Sequence, residues 1–225
     1  MTSRYCVLNF HGIGTPKRPL DDGEEPYWIS ADFFSGIMAH IASKSSALRP
    51  EITFDDGNKS DIEIAAPILK RHGLTAEFFV LAGRLDSPGS LSRADVKQLQ
   101  ADGMRIGSHG YDHVDWKKLD AAGQKREWVD ARQAIEQVTG TIIDCAAIPF
   151  GSYDGKVVTG LRAQKYRRIA TSDRGLANRD SPVIPRTSVK GAMQMADIEK
   201  ILTDDFSFAV KARRQVGNLK RKWLE

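Results

Sequence analysis

Short apolar runs alternate along the chain with longer segments in which apolar residues recur every three or four positions. The short runs are rich in β-branched and aromatic residues, which is typical of buried strands, and the longer segments have the period of amphipathic helices. The predicted strands cover residues 5–10, 52–54, 75–82, 104–108, 142–148, 166–171 and 183–186. This alternation predicts βα units and a parallel sheet, either open or closed into a barrel.

Capping residues help to place the helices between these strands. Ser30, Ser60 and Ser92 are suited to accept hydrogen bonds from the free N–H groups of a first helical turn, and Gly73 and Gly103 are suited to follow a last turn. The predicted helices cover about 31–44, 60–73, 92–103, 124–138, 156–164 and 197–202, with a further helical pattern at 206–224. The loop over 15–27 is unusually long, which is typical of lids and binding rims. Its last residue, Tyr27, and Trp28 either stack on a sugar or fasten the loop.

Two adjacent carboxylates, Asp55 and Asp56, follow the apolar strand at 52–54 and precede Gly57. Glycine permits the turn with positive φ that takes the chain out of a sheet, so both carboxylates are placed at the carboxyl end of a strand. Neighbouring carboxylates repel each other unless a cation or hydrogen bonds offset the repulsion, and a divalent metal is the simplest partner. A second Asp-Asp-Gly sequence, at 21–23, has no strand before it and is interpreted as a loop.

Histidines follow two other predicted strands. His109 ends the strand at 104–108, and His113 comes four residues later, a spacing that places both imidazoles on one face if the backbone forms a helical turn. The alternative is a pair of loop histidines without a ligand. Together with Asp56 they form a set of three ligands that leaves a position open for water, as in catalytic zinc sites. His11 ends the first strand, either as a functional group or as a cap bonded to a backbone carbonyl.

Composition and charge narrow the class of protein. The chain has 225 residues, 41% of them hydrophobic, which fits one globular domain. Its net charge of +4 is concentrated near the C-terminus, so nucleic acid is not expected as a partner. The basic residues of that end are Lys211, Arg213, Arg214, Lys220, Arg221 and Lys222. They form either a solvated face or a contact with an anionic membrane surface.

The two cysteines and the lengths of the apolar runs indicate where in the cell the protein is expected. Cys6 and Cys145 both lie in apolar segments, so buried thiols are expected and a disulfide framework is not. The N-terminal apolar run is too short for a signal peptide, and no run is long enough to span a bilayer. We therefore expect a cytoplasmic protein. The sequence leaves its oligomeric state open.

Four motifs, in this order and with these gaps, resemble those of the polysaccharide deacetylase family, also known as the NodB homology domain or carbohydrate esterase family 4. They are Thr53-Phe54-Asp55-Asp56-Gly57, Ala76-Glu77-Phe78-Phe79-Val80, Ile106-Gly107-Ser108-His109 with His113, and Ile148-Pro149-Phe150-Gly151-Ser152-Tyr153-Asp154. The resemblance covers about residues 5–190. It implies a single domain with a distorted (β/α)7-type barrel. The basic helical segment at about 197–225, which is predicted from the residue pattern, follows the part that the resemblance covers.

The resemblance also assigns roles. It implies that Asp55 is the general base, that Asp56, His109 and His113 are the metal ligands, and that the backbone N–H of Phe150 stabilises an oxyanion. The implied reaction removes an acetyl group, N-acetyl in preference to O-acetyl, from a glycan or glycan precursor by a metal-activated water. Zinc is the first choice of metal for this ligand set, and nickel, cobalt and iron are also compatible with it.

Three departures from the family pattern stand out. Gly110 replaces a Ser or Thr, Ala147 replaces an arginine that steadies the base, and the C-terminal Leu-x-His that supplies the acid is absent after Arg186. The exopolysaccharide-type branch of the family carries a comparable histidine on an N-terminal strand. We therefore expect His11 to be the general acid. Arg186, which follows Pro185 at a strand end, either replaces the arginine lost at position 147 or is a surface arginine.

These departures keep two other functions open. One is a glycan-binding or scaffold protein that has lost turnover, and the other is an amidohydrolase acting on small molecules. Release of acetate from a polymeric substrate would exclude both alternatives.

Overall fold

Eight parallel strands form the central sheet of the protein, which is described here from a computed structural model covering residues 4–212 and Gly217. Their spatial order is β7-β6-β5-β4-β3-β2-β1-β8. The strands are β1 (Val7–Phe10), β2 (Glu51–Phe54), β3 (Glu77–Val80), β4 (Arg105–Ser108), β5 (Cys145–Ala147), β6 (Arg168–Thr171), β7 (Val183–Pro185) and β8 (Thr187–Ser188).

The two edges of this sheet are joined by one segment of the chain. β7 pairs with β6, whereas β8 pairs with β1, and the single residue between β7 and β8 is Arg186. The segment from Val183 to Ser188 therefore occupies one strand position and closes the sheet into a barrel of seven positions. This confirms the (β/α)7-type barrel expected from the sequence, and it places Arg186 at the point of closure.

Helices cover the outside of the barrel. They are α1 (Ala31–Ser43), α2 (Ala66–Arg71), α3 (Arg93–Ala101), α4 (Ala121–Gln124), α5 (Ala131–Thr139), α6 (Gly155–Ala163) and α7 (Met195–Thr203). Two predicted starts are confirmed: the Ser30 hydroxyl accepts a hydrogen bond from the backbone N–H of Phe33, and Ser92 forms a capping box with Asp95.

Two other helix predictions were wrong in detail. Ser60 does not cap the second helix, because its hydroxyl accepts instead from the backbone N–H of Ile13, and a π-helical turn at Asp61–Ala65 precedes α2. The helix predicted at 124–138 is divided by a second π-helical turn, Lys125–Asp130, which links α4 to α5. Such insertions are frequent at functional sites, and the second one bears on the histidine motif.

Alternate strand residues divide the core into two parts. Outward-facing phenylalanines pack against each other and the helices: the ring centroids of Phe54 and Phe78 are 4.6 Å apart, and those of Phe10 and Phe34 are 5.2 Å apart. The barrel interior contains a small buried cluster of Phe79, Cys145, Ala147 and Ala170. These mostly small side chains leave room inside the barrel for the guanidinium of Arg186, which lies 5.1 Å from the Phe79 ring centroid.

The C-terminal segment is described only in part. Residues 208–212 are helical, and Lys211 forms an ion pair with Asp204 at 2.9 Å. The rest of the predicted helix at 206–224, with the basic residues Arg213, Arg214, Lys220, Arg221 and Lys222, lies outside the described residues. Within the part of the chain that the structure describes, none of the helices has the length and apolar character needed to cross a membrane. Cys6 and Cys145 are buried free thiols, as predicted.

Candidate active site

Asp55 and Asp56 lie at the carboxyl end of β2, where the chain leaves the sheet abruptly. Asp56 has φ of 75° and Gly57 has φ of 65°, so two successive residues adopt the left-handed conformation. For a residue with a Cβ this conformation costs about 1–3 kcal/mol, and such strain is typically found at functional sites. Both aspartates are only 3% exposed, and they line a pocket of about 220 Å³.

Asp56, His109 and His113 form a group suited to hold a metal ion. One ligand atom from each residue lies within 4.8 Å of the others. The Oδ1 atom of Asp56 is 3.4 Å from Nε2 of His109 and 3.5 Å from Nε2 of His113. This oxygen is buried and has no hydrogen-bond partner among the described residues. A buried carboxylate oxygen without a donor, facing two imidazole nitrogens, fits a divalent cation of the zinc type.

In each histidine, the ring nitrogen Nδ1 lies close to a hydrogen-bond acceptor. Nδ1 of His109 lies 2.8 Å from the carbonyl oxygen of Ala147, and Nδ1 of His113 lies 3.3 Å from Oδ2 of Asp21. If each Nδ1–H donates to these oxygens, each Nε2 keeps its lone pair and faces Asp56. This tautomer is the one that a ligating imidazole adopts when an acceptor orients it.

The electrostatics of the site favour a charged carboxylate at Asp56. Burial by itself raises the pKa of Asp56, but the neighbouring imidazoles of His109, His11 and His113 outweigh burial, and the net pKa is lowered. An ionised Asp56 is the form that binds a cation.

The two histidines come together without the helical turn that the sequence offered as one way to place them on the same face. Residues 109–115 are irregular, and the chain turns through positive φ values of 90° at Gly110 and 57° at His113. The buried carboxylate of Glu127 holds this turn by accepting from the backbone N–H groups of Tyr111, at 2.8 Å, and Asp112, at 3.0 Å.

Glu127 also explains the glycine in the histidine motif. A Cβ added to Gly110 would lie 2.3 Å from Oε2 of Glu127, so a serine or threonine there would collide with the carboxylate. The same oxygen accepts from the indole N–H of Trp116 at 3.3 Å. Sequence reasoning missed Glu127, although a signal was present: it precedes Ala131 by four residues, which places a charge on the apolar face of the helix.

Asp55 is held by side chains from two other strand positions. Arg186 donates two hydrogen bonds to it, from Nη1 to Oδ1 and from Nη2 to Oδ2, each 2.8 Å long. Nδ2 of Asn9 donates to Oδ2 at 2.9 Å, and Nη1 of Arg186 also donates to Oδ1 of Asn9. Burial raises the pKa of Asp55, but the guanidinium of Arg186 opposes burial and the net pKa is lowered. Arg186 is 1% exposed, so this cation belongs to the interior of the barrel.

The other two predicted residues lie at the same pocket. The ring of His11 is 4.7 Å from the ring of Tyr27, and His11 is outside the group of three potential ligands. Phe150 has φ of 59°, and its exposed ring lies 4.5 Å from that of His113. Six of the seven predicted site residues thus line the pocket, namely His11, Asp55, Asp56, His109, His113 and Phe150. The seventh, Arg186, contacts Asp55.

The loop over 15–27 forms one side of this pocket. Asp21, which the sequence indicated as a loop residue, lies in this loop. Its carboxylate contacts His113 and also Arg84, the latter at 2.5 Å. Arg18 and Glu24 form a largely buried ion pair that fastens the loop. The sequence left open whether Tyr27 and Trp28 stack on a sugar or fasten the loop, and the structure separates the two residues.

Trp28 packs directly on Gly12, where an added Cβ would lie 2.0 Å from the indole ring. Its indole N–H donates to Glu24 at 3.1 Å. Trp28 therefore fastens the loop, whereas Tyr27 lines the pocket.

Comparison with known proteins shows which family the chain matches. The family model described as polysaccharide deacetylase matches residues 47–169, which is more than half of the chain. The protein YxkH of Bacillus subtilis is 26% identical over 191 residues, covering 79% of this chain and 68% of YxkH. A chitooligosaccharide deacetylase of Azorhizobium caulinodans is 30% identical over 127 residues, covering 55% of this chain and 57% of that protein. The chain therefore spans between about half and two thirds of these relatives' lengths.

Among solved structures, the Streptococcus pyogenes deacetylase PplD in complex with acetate has the same fold. It superposes with a TM-score of 0.77 at 18% identity, covering 90% of this chain and 99% of PplD. The sequence match over 47–169 contains Asp55, Asp56, His109, His113 and Phe150, which meet at one pocket. The chain belongs to the polysaccharide deacetylase family.

Proposed function

We propose that the protein is a metal-dependent hydrolase that removes an acetyl group, N-acetyl in preference to O-acetyl, from a glycan or glycan precursor. The observation that carries this proposal is the convergence of Asp56, His109 and His113 beside the buried carboxylate of Asp55. The family acts on acetylated glycans, and one relative is named a chitooligosaccharide deacetylase. An acetylated amino sugar is therefore the proposed substrate class.

The metal would be held by one oxygen of Asp56 and by the Nε2 atoms of His109 and His113. Zinc is the first choice for such a ligand set, and nickel, cobalt or iron would bind similar groups. When bound, the ion supplies Lewis acidity, which polarises a carbonyl oxygen and makes water a better nucleophile.

Asp55 is proposed to take the proton from the attacking water. Its lowered pKa keeps the carboxylate ionised at neutral pH, and the two hydrogen bonds from Arg186 fix its orientation. The same cation makes Asp55 a weaker base. Arg186 therefore keeps Asp55 deprotonated and correctly oriented, and lowers its basicity. The backbone N–H of Phe150, at a left-handed turn on the pocket wall, is proposed to donate to the developing oxyanion.

His11 is proposed to protonate the leaving amine. It lines the pocket without belonging to the potential ligand group, and its buried Nδ1 has no hydrogen-bond partner among the described residues. The rings of Tyr27 and Phe150 line the same pocket, and they offer faces on which a sugar can stack.

Two observations weigh against an inactive scaffold. That alternative rested on Ala147 and on the missing C-terminal histidine. Arg186 lies over the ring of Phe79, which packs in the same cluster as Ala147, and it contacts Asp55. His11 brings an imidazole to the pocket from the end of β1. Both missing groups thus have a substitute in the structure, which supports turnover.

The test is metal analysis combined with release of acetate from an acetylated chito-oligosaccharide. The wild type should bind one divalent ion and release acetate, His113→Ala should lose the metal, and Asp55→Asn should keep the metal and lose activity. His72→Ala, at the end of α2, is the matched control and should behave as the wild type. Full activity of Asp55→Asn would show that the assigned base is wrong.

A further inference from the structure

A second cavity, of about 360 Å³, lies at the opposite end of the barrel. Arg168 is the first residue of β6, and Tyr5 comes shortly before β1, so this cavity opens at the amino ends of the strands. The active-site pocket lies at their carboxyl ends. The second cavity is lined by residues that include Arg162, Arg167, Arg168, Arg179 and Asp180. It is therefore separate from the proposed deacetylase site.

Four guanidinium groups and one carboxylate line this cavity, and the arginines are poorly matched by partners. Arg167 and Arg179 approach the carboxylates of Asp144 and Glu51 only at 4.0 Å, the outer limit of an ion pair. The guanidinium of Arg162 has no hydrogen bond or ion pair with the described residues. The cavity thus holds more cationic hydrogen-bond donors than protein acceptors.

Arg168 is better paired than the other three arginines. One of its terminal nitrogens lies 2.5 Å from Glu51 and 3.8 Å from Glu77, although its buried Nε has no hydrogen-bond partner among the described residues. Guanidinium charges gathered at one concave surface repel each other. This repulsion falls when an anion with several acceptor oxygens is present.

The shape and lining indicate which anion would fit. Guanidinium groups bind phosphate through paired hydrogen bonds, and several arginines together select a group with multiple charges over a single carboxylate. Tyr5, Pro182 and Ile184 add an apolar wall to the same cavity. Its volume lies within the range of small-molecule sites, roughly 300–1,000 Å³. There is room for a phosphate group and for part of the organic group that carries it.

We propose that this cavity binds the phosphate group of a phosphorylated organic compound, through Arg162, Arg167 and Arg179. Arg168 is held by Glu51 at the base of the cavity and adds charge to the site. The proposal is independent of the deacetylase function, because none of these residues lines the active-site pocket.

The test is calorimetric titration of the full-length protein with inorganic pyrophosphate at low ionic strength. We expect saturable binding by the wild type, and at least tenfold weaker binding by an Arg162→Gln/Arg179→Gln double variant. Arg93→Gln is the matched control, because the side chains of Arg93 and Arg179 are both 60% exposed. A His109→Ala variant should bind pyrophosphate as the wild type does, which separates the cavity from any metal at the active site.

Two outcomes would overturn the proposal: no binding by the wild type, or equal binding by the double variant. Flotation with phosphatidylglycerol vesicles identifies the source of the phosphate. Flotation that the double variant loses and that pyrophosphate competes for supports a lipid headgroup. Arginine-dependent binding of pyrophosphate without such flotation supports a soluble phosphorylated compound.

Discussion

Arg186 and Asp55 form a buried, two-pronged ion pair in which both guanidinium-to-carboxylate distances are 2.8 Å. The two residues are 131 positions apart in sequence and come from the last and second strand positions of the barrel. Since neither side chain is more than 5% exposed, solvent screens their attraction little. The charge state of the proposed base therefore depends on one arginine.

Replacing Arg186 should change the pH profile as well as the rate. In Arg186→Gln, burial of Asp55 is no longer opposed by the guanidinium, so its pKa should rise. The acid limb of kcat/KM should move to higher pH by about one unit or more, since an adjacent arginine typically lowers a carboxyl pKa by 1–3 units. Arg93→Gln should leave the profile unchanged. An Arg186→Gln profile that matches the wild type would show that the pair does not control the base.

The same pair contributes to stability in a defined pH range. Because the pKa of Asp55 is lowered in the folded state, its contribution is present above the pKa of the unfolded chain and is lost as pH falls through the folded pKa. Arg186→Gln leaves a buried carboxylate without its cation, a change that costs roughly 3–5 kcal/mol. Denaturant unfolding at neutral pH should show this loss. A stability equal to that of the wild type would contradict it.

His11→Ala should separate catalysis from metal binding. Because His11 lies outside the ligand group, the variant should keep stoichiometric metal and its fold. Its kcat should fall roughly a hundredfold or more, the usual scale for removing a general acid. Loss of metal in this variant would instead make His11 a ligand, and near-normal turnover would exclude it as the acid. His40→Ala, where the imidazole pairs with Glu199 away from the pocket, is the control.

Glu127→Gln tests how the histidine turn is held. The carboxylate accepts from the N–H groups of Tyr111 and Asp112 and from Trp116, whereas an amide has only one acceptor oxygen and adds two donors. We expect metal affinity to fall about 10–100-fold, the scale for residues that position ligands. Competition with a chelator measures this effect. Glu136→Gln on α5 is the control, and unchanged affinity in Glu127→Gln would limit Glu127 to a role in folding.

Asp61 should make the metal-free protein less stable as pH rises. Burial and the nearby charge of Asp56 raise its pKa well above that of an ordinary carboxyl, and neither of its oxygens has a hydrogen-bond partner among the described residues. Between the unfolded pKa of about 3.9 and this raised value, the folded state binds the extra proton, so stability falls with increasing pH. Asp61→Asn should remove that slope, so its melting temperature should exceed that of the wild type increasingly toward alkaline pH.

Asp95→Asn is the control of opposite sign. Burial raises the pKa of Asp95, but hydrogen bonds from Lys59 and Ser92 outweigh burial and lower it. Its contribution to stability is therefore present above the unfolded pKa, and the Asn variant should be less stable than the wild type in that range. Thermal unfolding across pH compares the two variants. A pH dependence of Asp61→Asn equal to that of the wild type would show that Asp61 ionises freely.

The parts of the site that sequence could predict are those next to strand ends. Asp55, His11 and His109 directly follow strands, and Asp56 comes one residue after Asp55. Parallel strands bring such ends together whatever the details of the loops. The same alternation predicted βα units and a parallel sheet, and the family resemblance implied that the sheet closes into a barrel. Local patterns were therefore sufficient to predict the parallel sheet and the site residues at the ends of its strands.

The parts that sequence could not predict depend on long-range contacts in irregular segments. Asp21 reaches His113 across 92 residues from a loop without periodicity, and Glu127 reaches Tyr111 from a π-helical turn. The turn at Gly110 and His113 depends on left-handed backbone conformations, which the spacing of two histidines does not indicate. The four-residue spacing of His109 and His113 therefore does not reflect a helical turn.

Closure of the barrel by the segment from Val183 to Ser188 links assembly of the fold to chemistry. Arg186 can reach Asp55 only when β7 has paired with β6 and β8 has paired with β1. A chain in which this last segment has not docked leaves the carboxylate of Asp55 without its counter-ion. An incompletely folded or C-terminally shortened molecule would therefore lack an oriented base, and the proposed hydrolytic activity would be confined to molecules that have finished folding.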